Sequence, residues 1–178
     1  ILIDTPFPIK IIGDESLSKR DFRRISKPLS KFGASFKLRN KCNLPLIIKG
    51  SQKLKPIKFF ENKGSAQCKS SVIFGGIKTD GKTLIRAKKS RNHTELLLRY
   101  LKVPIKIKKK KNFDLIEIKK VKKIKPTIYK VPSDISSGAF FIALTVLSKN
   151  SQIIIKNVNV NSTSCLLYTS DAADDQAC

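Results

Sequence analysis

The chain has 178 residues, 37 Lys and Arg against 13 Asp and Glu, a formal charge of +24, and a 40% hydrophobic content. That balance excludes a disordered chain and leaves enough length to bury a core. No apolar run approaches a membrane span, the N-terminus is no secretory signal, and the four cysteines (Cys42, Cys68, Cys165, Cys178) form no Cys-x-x-Cys pair. With a single His, a metal site or disulfide framework is not expected, and a reducing, cytoplasmic setting fits.

The chain holds no Met and opens on Ile1-Leu2-Ile3, as if inside an element, which reads as an internal piece of a longer protein. A short strand is expected over Ile9 to Ile12, ended by Gly13-Asp14-Glu15-Ser16. From Asp21 a helical period follows through Phe22, Ile25, Leu29 and Phe32, with Pro28 inside it and Gly33 as the stop. Strands are predicted at Ser35 to Leu38, Leu44 to Ile48 and Ile57 to Phe60. A second helix begins near Ser65 and ends near Gly75-Gly76, followed by a strand at Thr83 to Arg86. Asn92-His93-Thr94-Glu95 opens a third helix, with a face of Leu96, Leu97, Tyr100 and Leu101. A hairpin is expected from Pro104 to Lys108 and Phe113 to Lys119, then a strand at Thr127 to Val131. Pro132-Ser133-Asp134-Ile135-Ser136-Ser137 turns into an apolar helix from Ala139 to Leu147, and Ile153-Ile154-Ile155 closes the readable chain.

Strand and helix alternate with paired strands interspersed, so the fold class is α/β or α+β, in repeated strand-helix-strand-helix-strand-strand units of about fifty to seventy residues. The domain reading is one partial domain over 1–163 and a non-native tail over 164–178. That tail carries three Asp and no Lys or Arg, resembles read-through at the end of an assembled sequence, and is set aside from fold reasoning.

The most informative stretch is Ser65-Ala66-Gln67-Cys68-Lys69-Ser70-Ser71, which follows Gly64 and feeds the second helix. The first N–H groups of a helix lack intrahelical partners, and with the helix dipole they attract anions. Ser65 adds a hydroxyl, and Gln67 an amide that donates and accepts, which suits an anionic ligand bearing hydroxyls. The plainer reading is a Ser N-cap and nothing more.

Several ordered motifs carry a resemblance. Gly13-Asp14-Glu15-Ser16-Leu17-Ser18-Lys19-Arg20, Pro28-Leu29, Phe32-Gly33-Ala34 and Leu44-Pro45-Leu46 come first. Ser65 to Ser70, Gly81-Lys82-Thr83, Ser90-Arg91-Asn92-His93-Thr94-Glu95 and Pro132 to Ser137 follow in order. Together, from about Gly13 to Asn161, they resemble the middle of the bacterial 5-enolpyruvylshikimate-3-phosphate (EPSP) synthases, nearer the glyphosate-tolerant branch than the enteric one. The related carboxyvinyl transferases of cell-wall synthesis rank below, because Ser-Ala-Gln and Ser-Arg-x-His-Thr-Glu are not expected in them.

The resemblance implies most of one of the two domains of an enolpyruvyl transferase inverse α/β barrel. It implies a 3-phosphoshikimate 1-carboxyvinyltransferase that moves the enolpyruvyl group of phosphoenolpyruvate to the 5-hydroxyl of shikimate 3-phosphate and releases phosphate. No cofactor or metal takes part, and the parent enzyme is expected to be cytoplasmic and monomeric, binding neither nucleic acid nor membrane. Carried over by motif, Arg20 and Gln67 bind phosphoenolpyruvate, while Ser65, Ala66, Gln67 and Arg91 bind shikimate 3-phosphate. A guanidinium suits these ligands because it stays charged and binds oxyanions bidentately.

Asp21 departs from the pattern, standing where the family usually has proline, and so places a carboxylate beside an anion site. His93 reads as a helix-start residue rather than a catalytic one, Asp134 reads as a cap, and Lys69 receives no role. The N-terminal Lys-Ser-x-x-x-Arg motif, the Gly-rich phosphoenolpyruvate loop and the catalytic Asp and Glu of the second domain have no counterpart here. No catalytic residue is therefore assigned, and the piece alone is expected to bind weakly and turn nothing over.

The alternative class is a basic nucleic-acid-binding module. Against it, the cations are spread along the chain and are mostly Lys, and aromatics are 7% with no Trp. The densest run, Lys106 to Lys111, alternates at first like one arm of an exposed hairpin.

Overall fold

The computed structural model describes residues 2–159, 161 and 163. The proposed tail over 164–178, with Cys165 and Cys178, lies outside the described residues. The chain divides into two compact units, Ile1–Lys125 and Pro126–Cys178.

In the first unit, β1 (Pro8–Ile11), the short α1 (Glu15–Ser18), α2 (Arg23–Ser30), β2 (Ser35–Arg39) and β3 (Asn43–Lys49) come first. They are followed by β4 (Lys58–Glu61), α3 (Ala66–Lys78), β5 (Lys82–Lys88), α4 (His93–Tyr100), β6 (Ile105–Lys109) and β7 (Phe113–Lys119). One sheet has the antiparallel order β1-β3-β2, and the other the order β4-β5-β7-β6. In the second sheet β4 and β5 run parallel, with α3 as their crossover, as a parallel pair requires. The second sheet thus realises the expected strand-helix-strand-helix-strand-strand unit.

Period-two burial explains the second sheet. In β5, Thr83, Ile85 and Ala87 are buried while Lys82, Leu84, Arg86 and Lys88 face out. Register pairs Ile85 with Ile116 and Thr83 with Ile118, and on the far side of β7 pairs Ile105 with Ile118, so one apolar row crosses three strands. Against this row α3 buries Val72, Ile73, Gly75, Gly76 and Ile77. Phe32, after α2, has no exposed surface and seats against Gly75, where an added Cβ would lie 2.7 Å from the ring.

The glycine pair therefore does not end the second helix, as its sequence suggested. The helix continues to Lys78, and Gly76 is small because Ile118 and Thr83 occupy the space of a side chain. Two other boundaries move. An unanticipated turn of helix, α1, occupies Glu15–Ser18, and α2 starts at Arg23 instead of Asp21. Asp21 stays outside that helix and its carboxylate accepts the Arg23 N–H at 2.8 Å. In α4 the inward residues are Glu95 and Leu98, while Leu96, Leu97 and Tyr100 are exposed. An eight-residue helix buries one narrow stripe, and the ion pair made by Glu95 selects it.

In the second unit, α5 (Ile135–Leu147) is capped by Asp134, whose carboxylate accepts the Ser136 N–H at 3.0 Å. The expected strand at Thr127 to Val131 is not formed. Apolar alternation needs a paired neighbour to become a ladder, and among the described residues of this unit an isolated bridge between Ser133 and Val158 is the only pairing. Ile128 is 97% exposed.

Candidate functional site

The site is built where β4 passes into α3. Glu61, the last residue of β4, is buried, and its carboxylate accepts the N–H groups of Lys63 and Gly64 at 2.9 Å each. Gly64 takes φ +74°, a left-handed conformation that costs other L-residues energy. The chain is thereby turned so that Ser65 becomes the N-cap of α3, its Oγ accepting the Cys68 N–H at 3.2 Å. Ala66 and Gln67 follow as the first two helical residues, with N–H groups beyond the reach of any intrahelical acceptor. The plain cap reading of Ser65 is thus realised, and the same residues form the helix start on which the anion reading rests.

Neighbouring segments bring the Arg24 side chain and the backbone of Arg91 to the first turns of α3. From α2, Arg24 Nη1 donates to Gln67 Oε1 at 3.4 Å. From the loop before α4, Arg91 is exposed, while its carbonyl accepts from Lys69 Nζ at 2.9 Å. Lys69 Nζ also lies 2.7 Å from Glu95 Oε1, and the two side chains are 1% and 3% exposed. A hydroxyl contact of 2.7 Å between Ser70 and Thr94 ties α3 to α4 a second time.

Ser65, Ala66, Gln67 and the Arg91 segment are thus brought together. Arg20 is placed differently. It is exposed between α1 and α2, in a shallow hollow shared with Asp14, Glu15, Ser16 and Lys19. Asn43 Nδ2 donates to the carbonyls of Lys19 and Arg20 at 3.0 and 3.2 Å, pinning that turn to β3. The arginine that touches Gln67 is Arg24, in the first turn of α2, which the sequence reading did not single out. Lys69 and Glu95 were also missed. A lone Lys within the apolar face of α3 signalled that a buried counter-charge must exist.

The carboxylate of Asp21 is not free to oppose an anion. Arg23 donates to it through Nε at 2.9 Å and through Nη2 at 2.7 Å. That hydrogen bonding holds the Asp21 carboxyl at about 2, well below its ordinary value. The Cys68 thiol is pushed up by burial and, after it, by the Glu61 carboxylate, so it stays protonated and is a poor nucleophile. His93 is exposed at the first residue of α4. Among the described residues no three His, Cys, Asp or Glu side chains are grouped to hold a metal, and no helix is long and apolar enough to cross a membrane.

The EPSP synthase family model (3-phosphoshikimate 1-carboxyvinyltransferase) matches residues 2–172. A 3-phosphoshikimate 1-carboxyvinyltransferase of Caldicellulosiruptor bescii is 42% identical over 167 residues, covering 92% of this chain and 38% of its own length. One from Leuconostoc mesenteroides is 42% identical over 164 residues, covering 92% of this chain and 37% of its own. The solved EPSP synthase of Acinetobacter baumannii superposes with a TM-score of 0.73 at 34% identity, over 90% of this chain and 36% of that one. The enolpyruvyl transferase NikO from Streptomyces tendae shares the fold, with a TM-score of 0.56 at 10% identity, over 81% of this chain and 34% of that one. The chain therefore spans under two-fifths of the length of these relatives.

Proposed function

The chain belongs to the EPSP synthase family, and from that premise we propose that it supplies the anion-binding part of a 3-phosphoshikimate 1-carboxyvinyltransferase site. In that reaction the 5-hydroxyl of shikimate 3-phosphate adds to the enol carbon of phosphoenolpyruvate, and elimination of phosphate restores the double bond in the product. The ligands carry two phosphates and carboxylates, so the protein's task is to hold anions together in a fixed orientation. In this reading the open N–H groups of α3 and the Ser65 hydroxyl face shikimate 3-phosphate, and Arg91 neutralises its phosphate. Gln67 stands between both ligands, with Arg20 serving phosphoenolpyruvate. Arg24, through Gln67, sets the orientation of that amide. The proton-transfer groups are expected on other parts of the full-length enzyme, which we take to be cytoplasmic and monomeric.

The observation that best supports this reading is Gln67 at the open start of α3 with its Oε1 3.4 Å from the Arg24 guanidinium. The basic nucleic-acid-binding alternative finds no support among the similar proteins. Titration calorimetry of shikimate 3-phosphate into the chain tests the proposal. Weak binding is expected, partly competed by inorganic phosphate and reduced about tenfold or more in Gln67→Ala. Affinity unchanged by both Gln67→Ala and Arg91→Ala would sink it. Salt-steep binding to any nucleic acid, with none to shikimate 3-phosphate, would favour the alternative.

A further inference from the structure

Lys69 and Glu95 form an ion pair of 2.7 Å with both side chains almost wholly removed from solvent. Such a pair is a weak source of stability, since desolvation offsets the attraction and apolar residues of similar volume often do as well. This one is less than fully satisfied: Glu95 Oε2 is buried without a hydrogen-bond partner, as is Ser90 Oγ on the same segment. Lys69 also sits one turn into α3, where the helix dipole disfavours a cation. Stability alone therefore gives no reason for a charged pair here.

The position gives one. Besides Glu95, Lys69 Nζ donates to the backbone carbonyl of Arg91 at 2.9 Å. One ammonium thus joins three places: the second turn of α3, the first turn of α4, and the peptide that carries Arg91. The pair is neutral as a unit, so it adds no net charge for a ligand. Arg91 itself faces solvent.

We infer that Lys69 and Glu95 are positioning residues, a buried strut that sets the Arg91 segment relative to the N-terminus of α3 and thereby fixes where the guanidinium meets a phosphate. This rests on the reading of Arg91 as a phosphate-binding residue. It assigns the fixing of Arg91 to two residues that never touch the ligand.

The test separates positioning from packing. Lys69→Met alone leaves Glu95 buried and unpaired, and a marked loss of stability is expected. The double variant Lys69→Met/Glu95→Leu replaces the pair with apolar residues and is expected to recover most of the thermal midpoint. In it, amide exchange over residues 89–92 rises and affinity for shikimate 3-phosphate falls about tenfold, as a small displacement of a binding group would produce. Arg91→Ala, measured in parallel, shows the same loss of affinity with native exchange at Lys69 and Glu95. Native exchange and native affinity in the double variant would overturn the inference. If the unaltered chain and Arg91→Ala behave alike towards shikimate 3-phosphate, the site reading fails instead, and the exchange data still decide whether the strut holds the segment. Lys69→Arg keeps the charge but not the reach of the ammonium, and reads the same two quantities should the double variant not fold.

Discussion

The carboxylate of Glu61 accepts the N–H of Gly64 at 2.9 Å, and with it the N–H of Lys63, so the last residue of β4 holds the turn that delivers Ser65 to α3. Hydrogen bonds from a carboxylate to backbone N–H groups are worth more than neutral ones, and unmet donors cost their desolvation. Glu61→Ala is expected to lower unfolding stability by about 2 kcal/mol, read from the shift of a urea midpoint at constant m-value. Glu61→Gln recovers part of it, because one oxygen still accepts. A midpoint within error of the native one would show that the turn needs no carboxylate.

Ser65 has two separable tasks, and Ser65→Asp divides them. Aspartate caps a helix as well as serine does, so stability stays within about 0.5 kcal/mol, whereas Ser65→Ala loses about 1 kcal/mol. In the proposed site the added charge repels phosphate, and affinity for shikimate 3-phosphate collapses in the Asp variant. Retained affinity there would mean that Ser65 is a cap alone.

Gly76→Ala reverses the usual helix preference. Alanine gains about 1 kcal/mol of intrinsic propensity in a helix interior. Against that, the new methyl meets Ile118 and Thr83 in a layer where both are buried. Overpacking of this kind costs about 1–3 kcal/mol, so a net loss of stability is expected by calorimetry. A gain would mean that the sheet yields to the helix.

The pH dependence of the Asp21–Arg23 pair has a definite sign. Hydrogen bonding from Arg23 lowers the Asp21 carboxyl from 3.8 to about 2 in the folded chain. The stability it contributes is therefore complete above about pH 4 and is lost as pH falls through about 2. Both side chains are half exposed, so solvent screening keeps the contribution small. The difference in stability between the native chain and Asp21→Asn should be constant from pH 5 to 7 and shrink steadily below pH 4. A difference that grew on acidification would refute the pairing.

The apolar surface of α5 is a fifth point of contact with experiment. Phe140, Leu144 and Leu147 recur at helical spacing and are 82%, 63% and 83% exposed. Exposed apolar surface of this kind binds hydrophobic dyes and promotes association. Phe140→Gln/Leu147→Gln should reduce dye fluorescence and raise solubility, and an unchanged signal would place the dye-binding surface elsewhere.

Much of this protein was legible from local pattern. The alternation of Lys82 to Lys88, the hairpin of Phe113 to Lys119, the Asp134 cap and the start of α3 at Ser65 all follow from rules acting over a few residues. The ordered motifs likewise pointed to the family that the comparisons establish. Thr127 to Val131 misled for the same reason, since strand-like composition carries no information about whether a partner strand lies alongside.

What only the tertiary structure decided is how distant segments share space. Local sequence made Gly75-Gly76 a plausible helix stop; Phe32, Ile118 and Thr83 pressing on those positions made them an interior contact. Local sequence made Leu96, Leu97 and Tyr100 the apolar face of α4; a buried ammonium twenty-odd residues away turned Glu95 inward instead. Periodicity and capping are short-range effects and are written along the chain. The choice among faces, and the pairing of a buried charge, depend on which surfaces meet after folding, and burial sets their energy only then.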